Sequence, residues 1–451
     1  VLAELAAAVH RGDVSPTELV EESLRRIEAA ADLNAVVRLE AESALATAAS
    51  HDRSGPLAGI PLLVKDGPSV AGSVTTVGSR LLADAPPDTS DDVVVARLRA
   101  AGAIVVGRTN SPEFAHTLVS HNTLHGTTLN PWNTDASPGG SSGGSTAALA
   151  AALAPLATTS DGGGSVRIPA AVCGLLGLKP TMGTVGRNHL PRWIEFSTQG
   201  ATGRSVADVL LELGVIAGPA PGDWTSVPLG TARLDPERPV RVLACRTFRA
   251  DVDPVVEAAV EEALEVLRSD GFDVERVEAP SSSAELLHWF AVSAAELAQS
   301  LSDRRAEWDL LDTSTRMMVE YGSSITTEQY VEAQRSRHAL GARIDALLAD
   351  DAVLVLPTLN VQWWPPEGPA PDAAGSVTGD PTIAVNTAEI NATGHPAASV
   401  PIGVGDTGVP IGLQVIAPRF REGLALGVAE VIERLRPWPT VAPGYEPFPV
   451  P

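Results

Sequence analysis

The stretch PGGSSGGSTAALAAALAPLATTSDGGGSVRIPAAVCGLLGLKPT, residues 138–181, decides how this chain is read. Its opening GGSSGGS, residues 139–145, has the composition of a flexible linker, because glycine and serine are costly to order. The residues after it are not linker. Ser145 is placed to cap a helix over 146–154 that Pro155 closes, and residues 156–160 then run extended into a second cluster, Gly162-Gly163-Gly164. Two glycine turns thus bracket one helix, with Ser141 and Ser142 in the first and Ser165 closing the second.

Upstream, GIPLLVKD at 59–66 is an apolar run short enough for a buried strand, with Lys65 at its end. Ser15-Pro16-Thr17-Glu18 combines a capping box with proline at the first helical position. The apolar stripe Leu19, Val20, Leu24 and Ile27 extends that helix to about residue 31. A helix over 93–101 and a strand over 103–107 come next. Beyond residue 200, helices over 206–216, 254–269, 326–348 and 423–435 alternate with strands over 240–245, 352–356 and 411–415. Such alternation predicts an α/β protein. The segment 363–380, rich in proline and glycine, reads as a long irregular loop, either a surface excursion or a substrate lid offering Trp363 and Trp364.

Bulk composition excludes several classes. A formal charge of −23 repels phosphate backbones and anionic membrane surfaces, so neither nucleic acid nor membrane is an expected partner. The longest apolar run, 147–157, is too short to span a bilayer, and the amino end reads as a helix rather than a signal peptide. Two cysteines, Cys173 and Cys245, are too few for a disulfide framework or thiolate metal site, which fits a cytoplasmic location. Aromatic residues are only 4% of the chain against 44% hydrophobic, so the core is built from Ala, Val, Leu and Ile.

Three chemistries can be tested against the glycine clusters. Gly139-Gly140-Ser141-Ser142-Gly143 matches a nucleophile elbow, but the proline-bearing segment before it is no strand, and the elbow requires one. Neither cluster continues as a phosphate-binding motif. His116, His121 and His125 lie close together in sequence, yet they sit on no helix and no HExxH occurs, so no metal is expected. Acyl transfer fits better: a lysine at a buried strand end as base, two serines as relay and nucleophile, and glycine N–H groups as an oxyanion hole.

The same residues resemble the amidase signature family. The resemblance rests on GIPLLVKD at 59–66, GRTNSPEF at 107–114, NPW at 130–132 and the block 138–181, then in order LPT at 356–358, TGHPA at 393–397 and VPIG at 400–403. It spans roughly residues 15–435. It implies a single amidase domain over 1–451, with a signature core at about 55–200 and a carboxy-terminal half, 200–440, completing the sheet and substrate pocket. The implied fold is α/β, a central mixed β-sheet covered by helices on both faces. The implied triad is Ser165 as nucleophile, Ser141 on a cis peptide bond as relay and Lys65 as base. Ser142, Asp161 and Arg167 match the supporting network, and the N–H groups of Gly162, Gly163, Gly164 and Ser165 the oxyanion hole. No cofactor is expected.

A lysine titrates near 10.4 in water, so Lys65 can act as a base at neutral pH only if burial favours its neutral form. Gly162 stands where the family more often has Thr, Ile or Val, and the run 188–193 and His395 are also unusual for it. Substrate walls are expected from His116, His121, His189, Trp193, Trp363, Trp364 and His395, on loops that carry specificity. The expected activity is hydrolysis of a small-molecule carboxylic amide to acid and amine or ammonia. Esters, carbamates, ureas and cyclic amides are alternatives, as is the glutaminase subunit of a tRNA-dependent amidotransferase. A homodimer is compatible with the sequence, which carries no signal on assembly.

Overall fold

The computed structural model describes residues 1–228, 233–249, 251–370 and 385–449. Among the described residues, strands form two mixed sheets and a small two-stranded ribbon. The larger sheet has eight strands in the order Val274–Val277, Val242–Cys245, Val353–Pro357, Pro410–Ile416, Ala397–Val404, Leu176–Lys179, Thr198–Gly203 and Thr159–Asp161. Its first three strands run parallel and the remaining pairs antiparallel. The smaller sheet orders Val36–Leu39, Ile104–Thr109, Pro61–Lys65 and Leu156–Ala157. Residues 156–161 therefore serve both sheets, and Thr158, between the two strands, is bonded to the lysine strand: its N–H donates to Leu63 O at 3.0 Å and its hydroxyl accepts from Lys65 N at 2.9 Å.

Alternation along the strands shows that both faces of the large sheet are covered. Val242, Ala244, Val353 and Val355 enter one apolar cluster, with helices Val206–Ile216, Pro254–Ser269 and Glu422–Leu435. Their neighbours Leu243, Cys245, Leu354 and Leu356 enter another, with Leu340, Ile344 and Leu348. A strand buried on both faces has to be apolar throughout, as these are. The α/β reading, with helices on both faces of a mixed sheet, is the architecture found.

Most elements fall where the sequence places them. Ser15 caps Pro16–Ala29 through the expected capping box with Glu18, and the strand Pro61–Lys65 is buried at every residue. Ser145 does not cap a helix. Helix Gly143–Ala150 begins earlier, after Ser142, and the Ser145 hydroxyl lies inside it, donating to Thr158 O at 2.9 Å and meeting Thr109 Oγ1 at 2.7 Å. Two helices that the sequence reading passes over, Ser283–Ser300 and Thr313–Ser324, pack against each other, the first beside the second glycine cluster. A capping box, Ser282 with Glu285, marks the first of them. Of the loop expected at 363–380, residues 371–380 lie outside the described residues. Among those described, no helix is long and apolar enough to cross a membrane.

Candidate active site

Lys65 leaves the end of its strand into a pocket of hydroxyls. Its Nζ lies 2.8 Å from Ser141 Oγ, 3.0 Å from Ser142 Oγ and 3.1 Å from Ser160 Oγ, and the residue is only 2% exposed. Burial pushes its pKa down to about 7, while the Asp161 charge pulls the other way. Hydroxyls solvate an amine without stabilising its charged form as a carboxylate would, so desolvation wins. Ser141 comes after a cis Gly140–Ser141 peptide bond. Ser142 is held by the strand carrying Asp161: its hydroxyl donates to Ser160 O at 3.2 Å and accepts from Ser160 N at 3.3 Å.

Ser165 is 8% exposed, and its hydroxyl has no hydrogen-bond partner among the described residues. It shares with Ser141 and Ser160 a cavity of about 360 Å³. The loop before it is pinned from three sides. The Gly162 carbonyl accepts from Trp289 Nε1 at 3.1 Å, the Gly163 carbonyl from Thr387 Oγ1 at 2.6 Å, and the Gly164 N–H donates to Asp161 at 2.6 Å. The last contact corrects the expectation for Gly164, since an N–H committed to a carboxylate is withdrawn from an oxyanion hole. The N–H groups of Gly162, Gly163 and Ser165 have no such partner among the described residues.

Asp161 and Arg167 form a fully buried pair, each 0% exposed in its side chain. Arg167 donates to both carboxylate oxygens, at 3.0 Å and 2.9 Å, and Asp161 also accepts from Val166 N and Asn391 Nδ2. Burial alone would raise the Asp161 carboxyl. The Arg167 guanidinium outweighs it and holds the group well below the usual carboxylate range. Remaining guanidinium donors reach Gln414 Oε1, Thr387 O and Asn391 Oδ1. One pair thus locks the glycine loop, the helix Arg167–Cys173 and the carboxy-terminal elements together.

The expected wall residues divide into three groups. His189 and Trp193 line the cavity with Ser165. His116, Trp364 and Gly163 line a second cavity of about 430 Å³ on the apolar face of Trp289, with Leu286, Phe290 and Met318 among its walls. His116 is bonded to Thr315 Oγ1 at 2.9 Å, and burial lowers its pKa to about 4. His121, Trp363 and His395 reach neither cavity. The first bonds Thr127 Oγ1 in the ribbon, and Trp363 packs against an apolar cluster. His395 is buried between Thr393 Oγ1 and Asp345, its pKa lowered to about 4 by burial and by Arg419. Asn391, two residues before Thr393, belongs to the Asp161 network.

Ser160, Trp289, Thr387 and Gln414 are contacts that sequence reasoning missed. Ser160 was accessible, since it lies two residues before Gly162 on an extended run beside the lysine strand. The others come from segments more than 120 residues away in the chain, and no local signal marks them.

Known proteins share both this sequence pattern and this arrangement of elements. The family model described as Amidase matches residues 18–426. The A component of the glutamyl-tRNA(Gln) amidotransferase of Thioalkalivibrio sulfidiphilus is 36% identical, the match covering 99% of each chain. The solved structure of 6-aminohexanoate cyclic dimer hydrolase in complex with substrate superposes with a TM-score of 0.89 at 30% identity, covering 98% of each chain. Native peptide amidase of Stenotrophomonas maltophilia superposes with a TM-score of 0.83, also at 30% identity, covering 97% of each. The chain belongs to the amidase signature family, whose members act on carbon–nitrogen amide bonds.

Proposed function

We propose that this protein hydrolyses a small-molecule carboxylic amide to acid and amine or ammonia, through an acyl-enzyme on Ser165 and a Ser165, Ser141, Lys65 relay. The observation that carries the reading is a neutral-range amine, Lys65, held 2.8 Å from Ser141 Oγ in the cavity that Ser165 faces. In the first half-reaction Ser165 Oγ attacks the amide carbon as its proton passes to Ser141, whose own proton passes to Lys65. The flow reverses to protonate the leaving nitrogen, and the C–N bond breaks. Water then repeats the attack on the ester, and Ser165 leaves with its proton restored. The two serine hydroxyls close up when substrate fills the cavity, as catalytic contacts commonly do. The N–H groups of Gly162, Gly163 and Ser165 are the candidate donors to the oxyanion.

The glutaminase component of a tRNA-dependent amidotransferase is the second reading, favoured by the 36% identity to the Thioalkalivibrio protein. Both readings use the same acyl-enzyme and differ in the fate of the ammonia. Trp193 and Phe114 put apolar ring surface on the cavity wall, which favours a substrate more apolar than glutamine.

The test is mass spectrometry of the intact chain exposed to a panel of amides, esters and ureas. An acyl adduct on Ser165, lost in Ser165→Ala, is expected; near-normal turnover by Ser165→Ala overturns the mechanism. Hydrolysis restricted to glutamine, together with co-purifying partner chains, selects the second reading.

A further inference from the structure

The cavity that holds Ser141 and Ser165 also has a cation on its wall that the relay does not use. Arg192 lies in the segment 187–197 with its guanidinium over the Phe114 ring, 4.8 Å from the centroid. Among the described residues it has no hydrogen-bond acceptor and no ion-pair partner. Burial lowers its pKa from the ordinary guanidinium value, though the group stays charged. The side chain is half-buried, and the ring face, worth about 0.5–2 kcal/mol, leaves all five of its N–H donors free for a ligand or water.

Other charged groups on the wall are already engaged. Arg187 donates to Thr225 Oγ1 at 3.1 Å and pairs with Asp223 at 3.6 Å. Asp88 accepts from Thr75 Oγ1 at 2.6 Å, and Asp92 caps helix Val93–Ala100 by accepting from Val94 N at 3.0 Å. Neither acid forms an ion pair with Arg192, and burial raises the Asp92 carboxyl against the pull of His189 and Arg97. His189, on the same segment, lines the same wall.

We propose that Arg192 is an anion subsite of the active-site cavity, so that the amides this protein takes carry a carboxylate. A fork of N–H donors matches a carboxylate bidentately, and the Phe114 ring backs the guanidinium at 4.8 Å. The inference rests on the amidase reading of the same cavity and narrows its substrate class.

The experiment compares matched substrates on the full chain: glutaramate against valeramide, with the carboxylate on the acyl side, and N-butanoyl-β-alanine against N-propylbutanamide, with it on the amine side. In wild type the kcat/KM ratio of anionic to neutral substrate is expected to exceed about tenfold for one pair. Arg192→Gln should bring that ratio down by about tenfold or more, with Arg192→Lys restoring part of it. A wild-type ratio near one in both pairs, or one unchanged by Arg192→Gln, overturns the proposal. If no pair is turned over, calorimetry with glutarate on Ser165→Ala decides: binding that disappears in Ser165→Ala/Arg192→Gln supports the subsite, and absence of binding overturns it. Labelling of Ser165 by an alkyl fluorophosphonate keeps the two readings apart. A Ser165 adduct together with a kcat/KM ratio unmoved by Arg192→Gln refutes the subsite alone, whereas no adduct and no hydrolysis refutes the amidase reading.

Discussion

The indole Nε1 of Trp289 donates to the carbonyl of Gly162 at 3.1 Å. The Gly162–Gly163 peptide is planar and trans, so its N–H points opposite to that carbonyl. Holding the oxygen against helix Ser283–Ser300 therefore turns the Gly163 N–H away from that helix. Thr387 and Asp161 fix the next peptide in the same manner. A loop with no side chains has its N–H directions set by partners outside it.

Trp289→Phe retains the ring and removes the donor. We expect kcat to fall by about tenfold or more with KM within about threefold, since only the developing oxyanion senses the aim of an N–H group. Steady-state kinetics on any substrate identified by the amide panel checks this. An equal loss in KM would mean that the indole shapes the pocket rather than the loop.

The proposed relay requires Lys65 uncharged, and burial pushes the pKa of that amine down to about 7. Below this pH the protonated form accumulates, so kcat/KM should fall about tenfold per pH unit on the acid side and reach a plateau above it. Lys179 is also buried, with a pKa lowered to about 7, but its Nζ donates to Pro180 O and touches none of the three serines. A pH–rate profile of Lys179→Met should keep the same midpoint. Loss of that midpoint would assign the titration to Lys179 instead.

Gly162 carries a prediction about packing. A Cβ built there collides with the Trp193 ring, and one at Gly163 would lie 2.5 Å from Trp289 Cζ2. The two indoles meet edge to face, centroids 5.6 Å apart, so aromatic rings occupy the space that a branched residue at 162 would need. Gly162→Ala should cost about 1–3 kcal/mol by overpacking. Adding Trp193→Ala should recover much of that loss, and a double-mutant cycle in urea measures the coupling. Additive effects would separate the glycine from the ring.

The residues of the proposed triad could be picked out as candidates because Lys65, Ser141 and Ser165 fall within one run of 101 residues, whose glycine spacing and buried strand carry local signals. Helices and strands with clear apolar stripes were equally readable, as Pro16–Ala29 and Val353–Pro357 illustrate. Specific long-range partners were not. Nothing near Trp289, Thr387 or Gln414 in the chain says that each meets the glycine loop or Arg167, because that proximity is created only when the carboxy-terminal strands pack. His395 misled for the opposite reason: its residue type suggested a site, while the fold buries it against Thr393 and Asp345.

Asp161 and Arg167 give the last prediction, on stability. Both side chains are fully buried, and the carboxylate also holds the N–H groups of Gly164 and Val166. Removing one partner strands the other charge in the interior, so Arg167→Met should cost about 3–5 kcal/mol. Asp161→Asn keeps an acceptor for one loop N–H but leaves Arg167 without its counter-charge, and a similar loss is expected. The double variant Asp161→Asn/Arg167→Met should be less destabilised than the sum of the singles, because no uncompensated charge is left. Urea denaturation of the four proteins tests this, with Ser165 labelling rates as the second readout. Stability recovered in the double variant without recovery of labelling would show that the pair does more than neutralise itself: its hydrogen bonds aim the glycine loop. Recovery of both would limit the pair to a structural role.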